Sequence, residues 1–260
     1  MATRNRLEIP AARLTGLRRY NLIAGVLHAL QAVAVVVLAN DFALPVTASY
    51  IQGPPGSDAY QAVTLFEVPL AWGVALFFLL SAVAHAWVVS PPGFARYAGD
   101  LAQGRNYARW VEYALSSSVM IWLIAQICSI TDLMTLVALF AVNACMIGFG
   151  WLQEKYEVPG ERGWLPFVFG CFAGAIPWVI IVLLLIQPGS TGDASTPGFV
   201  YGIVISLFLF FNIFAVNQWL QYKRVGRWAD YLVGERAYIT LSLVAKSLLA
   251  WQVFAGTLAA

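Results

Sequence analysis

Two residues stand where charge is expensive. Lys246 lies within Leu243-Val244-Ala245-Lys246-Ser247-Leu248-Leu249, and Glu112 follows Arg109-Trp110-Val111 and precedes Tyr113-Ala114-Leu115-Ser116-Ser117-Ser118. Both interrupt apolar runs, and so do His28 and His85. An ionisable side chain in an apolar membrane segment is costly, which makes each one a functional candidate. For Lys246 two roles compete. It can pair with a carboxylate simply to hold helices together, or it can condense with an aldehyde as a Schiff base, a reaction for which a buried lysine amine is suited. For Glu112 the choice is between an interfacial position and partnership with Lys246.

The elements that must position these residues are membrane helices. The chain has 260 residues, 60% of them hydrophobic and 11% charged, with a mean hydropathy of +0.74. A soluble domain carries roughly a quarter of its residues as charges. Seven apolar stretches approach the ~20 residues needed to span a bilayer: Leu22–Ala39, Val68–Val89, Trp110–Ile130, Leu133–Trp151, Trp164–Ile186, Phe199–Leu220 and Ala237–Phe254. The third and fourth are divided only by a tight turn at Thr131-Asp132. The expected fold is a single all-α bundle of seven transmembrane helices over residues 1–260, in the cell membrane among its lipids. The first span is too long for the apolar core of a signal peptide and is read as retained.

The basic residues give the expected orientation. Apart from Lys246, 14 remain: Arg4, Arg6, Arg13, Arg18 and Arg19 before the first span, then Arg96, Arg105 and Arg109, then Lys155 and Arg162, and finally Lys223, Arg224, Arg227 and Arg236. All fall on one side of a seven-span chain. Because cytoplasmic loops are enriched in Lys and Arg, the N-terminus is expected inside and the C-terminus outside. Counting from the inner span ends at 1.5 Å per residue puts Glu112 about 9 Å deep and Lys246 about 13 Å deep, an offset of about 4 Å that a lysine side chain can bridge.

Residues 40–67 would form the first external loop. Its run Val46-Thr47-Ala48-Ser49-Tyr50-Ile51 favours a strand, and Gly53-Pro54-Pro55-Gly56 is a turn signal. A small hairpin and an irregular loop are both compatible with it. Cys128, Cys145 and Cys171 lack metal-ligand spacing and read as small apolar residues.

Helical spacing extends the polar pattern. Ser242 precedes Lys246 by four residues, Ser116 follows Glu112 by four, Ser81 precedes His85 by four and Gln31 follows His28 by three, so each pair shares roughly one helix face. A buried histidine is often a satisfied core residue. Two of them, with Glu112 and several hydroxyls, describe instead a hydrated cluster that can accept a proton. Asn21, Arg96, Tyr97, Asn106 and Glu235 lie at the inner span ends and either line that cluster or are ordinary interfacial residues. Trp151, Trp164 and Trp219 read as an aromatic belt.

The chain resembles the microbial rhodopsins, and among them the heliorhodopsin family. The resemblance rests on the seven spans with Lys246 in the last and Glu112 in the third, the Arg109-x-x-Glu112 spacing, Glu112-Tyr113 followed by the serine run, Ser242-x-x-x-Lys246, His28 and His85 in the first two spans, the long first external loop and the inverted topology. Pumping members usually carry an aspartate where Ser242 stands and often a proton donor where Leu123 stands. The resemblance implies all-trans retinal as a Schiff base on Lys246, with Glu112 as its sole counterion and a pocket including Ser81, Ser242, Tyr113, Ser117, Met120, Asn143 and Trp178. It implies photoisomerisation and proton loss toward the cluster around His28, His85 and Gln31. A slow photocycle, a homodimer and a sensory role without clear ion pumping would follow, with a cytoplasmic signalling partner to receive the signal and no nucleic acid involved. The alternatives are a light-driven proton transporter and a retinal-free transporter using the Glu112/Lys246 pair. No HExxH, GxSxG or hydrolase-type Ser-Lys arrangement occurs, so no enzyme is expected.

Overall fold

The computed structural model describes residues 6–57, 60–186 and 196–258. Arg4, counted above among the inner basic residues, lies outside them, as do residues 58–59 of the first external loop. Among the described residues seven helices are long and apolar enough to cross a membrane. They are α1 (Ala11–Leu38), α2 (Leu70–Val89), α4 (Tyr107–Ile127), α5 (Leu133–Tyr156), α6 (Leu165–Leu185), α7 (Gly198–Lys223) and α8 (Tyr231–Val253). A short helix, α3 (Pro91–Leu101), joins α2 to α4.

Several helices outrun the apolar stretches that announce them. α1 begins eleven residues before Leu22, α5 continues past Trp151 to Tyr156, and α8 starts at Tyr231. Hydropathy marks the lipid-embedded part, whereas intrahelical hydrogen bonds persist through the interface, where arginine stems lie along the apolar surface with their heads in water. Local caps set the actual ends. Asn106 accepts from Arg109 N at 3.2 Å, Asp132 from Thr135 N at 2.8 Å and Asp230 from Leu232 N at 3.0 Å. α3 is the element that turn-like composition hides. In Ser90-Pro91-Pro92-Gly93 the serine hydroxyl caps Gly93 N and proline opens the helix, where its missing N–H costs nothing. Tyr97 and Leu101 of α3 are buried against Leu17, Leu232 and Ile239.

At the opposite end, β1 (Ala43–Ile51) and β2 (Tyr60–Pro69) pair antiparallel, with a register shift between Val46 and Thr47. β1 is fastened to the α4–α5 turn. Thr47 N donates to Thr131 O at 2.8 Å, and the Thr47 and Thr131 hydroxyls lie 3.0 Å apart. The main apolar core fills the hairpin half of the bundle, around Phe77, Phe78, Ile121, Ile124, Leu136 and Leu249. Buried polar groups collect in the half nearer the basic loops.

Candidate functional site

Lys246 is buried on α8, its side chain 4% exposed. Its Nζ donates to Ser242 Oγ at 2.7 Å and to Glu112 Oε1 at 3.2 Å. The same carboxylate oxygen accepts from Ser81 Oγ of α2 at 2.6 Å. Three helices thus converge on one ion pair, and Nζ also sits 5.4 Å from the Tyr113 ring centroid, within cation–π range. The depth offset drawn from helical rise is spanned by the lysine side chain.

An apolar cleft opens from Lys246 between α4, α5 and α7, lined by Tyr113, Ser117, Met120, Met146, Phe211 and Phe214. Tyr113, Met146 and Phe214 also wall an adjacent cavity of about 260 Å³ that reaches Gly170, Trp178 and Phe208. Asn143 stands behind the wall and does not line the cleft. Its amide donates to Ser117 Oγ at 2.8 Å and Ser118 Oγ at 3.0 Å. An elongated apolar slot with a primary amine and a carboxylate at one end fits a long polyene aldehyde attached at Nζ. Retinal, as such a group, matches these residues in shape and chemistry.

On the basic side of Glu112 lies the polar group. Asn21, His85, Asn106, Arg109, Glu112 and Glu235 reach a common cavity of about 40 Å³, room for about three water molecules at roughly 10–15 Å³ each. Close approach of α1 and α2 builds it. A Cβ at Gly25 would lie 2.9 Å from His85 Cβ, so glycine is what lets α1 sit against the histidine. His28 and His85 stack with centroids 5.6 Å apart. Tyr97 donates to Glu235 Oε1 at 3.0 Å and Asn106 Nδ2 donates to the same oxygen at 2.8 Å. Burial raises the Tyr97 hydroxyl pKa well above its usual range, which keeps it a donor to that carboxylate.

Two expected members are elsewhere. Gln31 accepts from Trp251 Nε1 at 3.1 Å and does not join the histidines. Three residues along a helix rotate 300°, which leaves it on the flank facing α8. Arg96 is exposed on α3, one residue of rotation from the buried Tyr97, and it meets Tyr97, Asn106 and Glu112 only at a separate, wider outer cavity.

Glu112 and Lys246 are also not the only charges between the span ends. Arg109, read from sequence as a loop cation, is buried with its side chain 4% exposed. It pairs with Glu235, and its Nη2 lies 2.7 Å from Glu154 Oε1. It does not pair with Glu112, despite the three-residue spacing. Glu154 also accepts from Asn106 N at 2.9 Å, from Tyr231 Oη at 2.9 Å and from Trp110 Nε1. The guanidinium lies 4.0 Å from the Tyr238 ring centroid. Glu154, Tyr231 and Trp110 escaped sequence reading. The available signal was that Glu154 lies four residues after Gly150, on the face of α5 turned toward α4. A Cβ at Gly150 would come within 2.6 Å of Trp110 Cζ3, and Glu154 holds that indole in place. Gly150→Ala is therefore expected to cost about 1–3 kcal/mol through overpacking, read as a lower thermal midpoint in lipid. An unchanged midpoint would mean that the indole moves aside freely.

A family model described as Heliorhodopsin matches residues 17–258. Among solved structures, the transmembrane domain of a rhodopsin phosphodiesterase from Salpingoeca rosetta is similar at 14% identity and TM-score 0.67, covering 94% of this chain and 85% of that one. A rhodopsin from Exiguobacterium sibiricum is similar at 16% identity and TM-score 0.61, covering 92% and 95%. At these identities the two structures speak for the fold. No curated protein matches the chain.

Proposed function

The chain belongs to the heliorhodopsin family, a multi-pass membrane protein whose family implies a retinal chromophore, and from that premise we propose that it is a light-sensing photoreceptor rather than an ion pump or an enzyme. The observation that carries this reading is the placement of Lys246, buried beside Glu112 and Ser242 at the head of an apolar cleft. All-trans retinal joined to Lys246 Nζ as a protonated imine would supply visible absorption, isomerisation and release of a proton. Glu112 Oε1 holds the positive charge at Nζ, with Ser81 orienting the carboxylate. Ser242 accepts from Nζ where a pump would place a second carboxylate. Tyr113, Met120, Phe211 and Phe214 would exclude water and grip the polyene, and Trp178 would close the far end of the slot. The proton released at Nζ goes to the polar group around His85. Beyond that group Arg109 is engaged by two carboxylates, and this supports proton storage over passage.

In this reading the basic end of the bundle is cytoplasmic, the protein works as a homodimer, and a cytoplasmic partner reads the slow light-driven change. The test is expression with all-trans retinal, followed by a visible spectrum and by pH recording on an illuminated cell suspension. A visible band without a sustained pH change is the expected result. A sustained change would establish a light-driven transporter instead. No band from folded protein would sink the rhodopsin reading and leave a retinal-free transporter built on Glu112 and Lys246.

A further inference from the structure

The two stacked histidines differ in what surrounds them. His28 is 0% exposed, and neither of its ring nitrogens has a hydrogen-bond partner among the described residues. His85 has a defined partner at one nitrogen, for its Nδ1 lies 2.8 Å from Asn21 Oδ1. The far end of the Asn21 amide fixes which atom is which. Nδ2 donates to Leu17 O at 2.9 Å and reaches the Tyr97 hydroxyl at 3.5 Å. A backbone carbonyl only accepts, so the amide atom facing Leu17 is the nitrogen and the atom facing His85 is an oxygen, which also only accepts. His85 Nδ1 therefore carries the hydrogen of the neutral ring, and Nε2 carries the lone pair. Neutral histidine in water prefers the opposite arrangement, so this is a state the site imposes.

We propose that Asn21 is a positioning residue that holds His85 as its Nδ1–H tautomer, so that His85 Nε2, and not His28, takes the proton leaving Lys246 Nζ. The proton step rests on the photoreceptor reading above, but the tautomer does not. The proton leaves Nζ, whose bonding pair returns to it as a lone pair, and bonds through the lone pair of Nε2. The His85 imidazolium keeps Asn21 as acceptor for Nδ1–H. Glu112 on α4 lines the same cavity as His85 and remains a carboxylate, offsetting the new charge. The other ionisable groups around that ring are His28 on α1, Arg109 and Tyr113 on α4, and Glu235 on α8, with Lys246 of α8 on the far side of Glu112. Protonating His28 instead would create a second buried N–H with no acceptor, the situation that makes unpaired buried groups costly.

The chain contains two histidines, so ¹⁵N-histidine NMR of the protein in lipid resolves them, with His28→Phe as the assignment control. Measured in the dark without retinal, His85 should show a protonated Nδ1 and an unprotonated Nε2. Asn21→Leu should return His85 to the Nε2–H form. With retinal added, it should slow proton loss from Nζ after a flash by about tenfold, less than the roughly 10²-fold or more that losing a general base outright costs. Asn21→Gln keeps a neutral amide oxygen and should largely keep both tautomer and rate, and a retained visible band shows that each variant is folded. His28→Phe should slow proton loss less than Asn21→Leu does, since it leaves the His85 acceptor nitrogen and its Asn21 contact in place. An Nε2–H tautomer in the parent, an unchanged tautomer in Asn21→Leu, or equal slowing in His28→Phe would overturn the proposal. The expected tautomer in a protein that forms no visible band would overturn the photoreceptor reading, and the proton step with it, while supporting the role of Asn21.

Discussion

Arg109→Met is expected to lower stability by about 3–5 kcal/mol, the usual result of removing one partner from a buried ion pair. The reason is specific to this group. The guanidinium is shared by Glu154 and Glu235, whose side chains are 3% and 1% exposed. Without it two carboxylates remain buried near each other with only neutral donors, among them Tyr97, Asn106, Trp110 and Tyr231. Methionine fills much of the arginine stem's volume, so the effect reports charge rather than a void. The check is thermal unfolding in lipid, where a fall of about 10 °C is expected for a chain of this size. Adding Glu154→Gln and Glu235→Gln to Arg109→Met should recover much of the loss, because uncharged amides do not need the cation. A single variant melting with the parent would show that the neutral donors alone satisfy both carboxylates.

Lys246→Ala should abolish the visible band formed with retinal and also destabilise the protein by about 3–5 kcal/mol, since Glu112 would be left as a buried charge. The two effects have separate causes and can be pulled apart. Lys246→Ala combined with Glu112→Gln removes the pair together and should restore most of the stability while the protein stays colourless. At 3.2 Å and an effective dielectric near 20, the direct attraction alone is about 5 kcal/mol, comparable with the loss expected. A coloured single variant would place the chromophore on another residue. A double variant as unstable as the single one would mean that Lys246 contributes by packing.

What sequence made legible here was set by how charge and lipid conflict. Lys246, Glu112 and their serines stand out because each breaks an apolar run, and helical period alone brings Ser242 beneath Lys246. Arg109 and Glu154 were lost to the same logic run in reverse. Each lies near a span end, where a window of hydropathy cannot tell a charge in water from a charge buried against its opposite. That difference belongs to tertiary pairing, with Glu154 on α5 and Glu235 on α8 meeting Arg109 on α4. Gln31 and Arg96 failed for a smaller reason, since a helix face is narrow and 60° or 100° of rotation changes a residue's neighbours. The cleft walls at Phe211, Phe214 and Met146 were invisible because bulky apolar residues recur all round α7 and α5 beside them, so hydropathy does not say which ring faces inward.

The fastening of β1 to the α4–α5 turn has a mechanical consequence. β1 follows α1 and β2 runs directly into α2, so the Thr47–Thr131 contacts tie four helix ends into one plate. α6 and α7 stand off that plate. They make few close backbone approaches to each other and meet through side chains, with the Trp178 ring 5.5 Å from Phe208 and 5.4 Å from Phe211. A load applied inside the cleft therefore meets stiff support on one flank and a yielding seam on the other. If the bundle flexes under such a load, the sliding of those rings is where it should show, with the hairpin end as the frame against which the movement is measured.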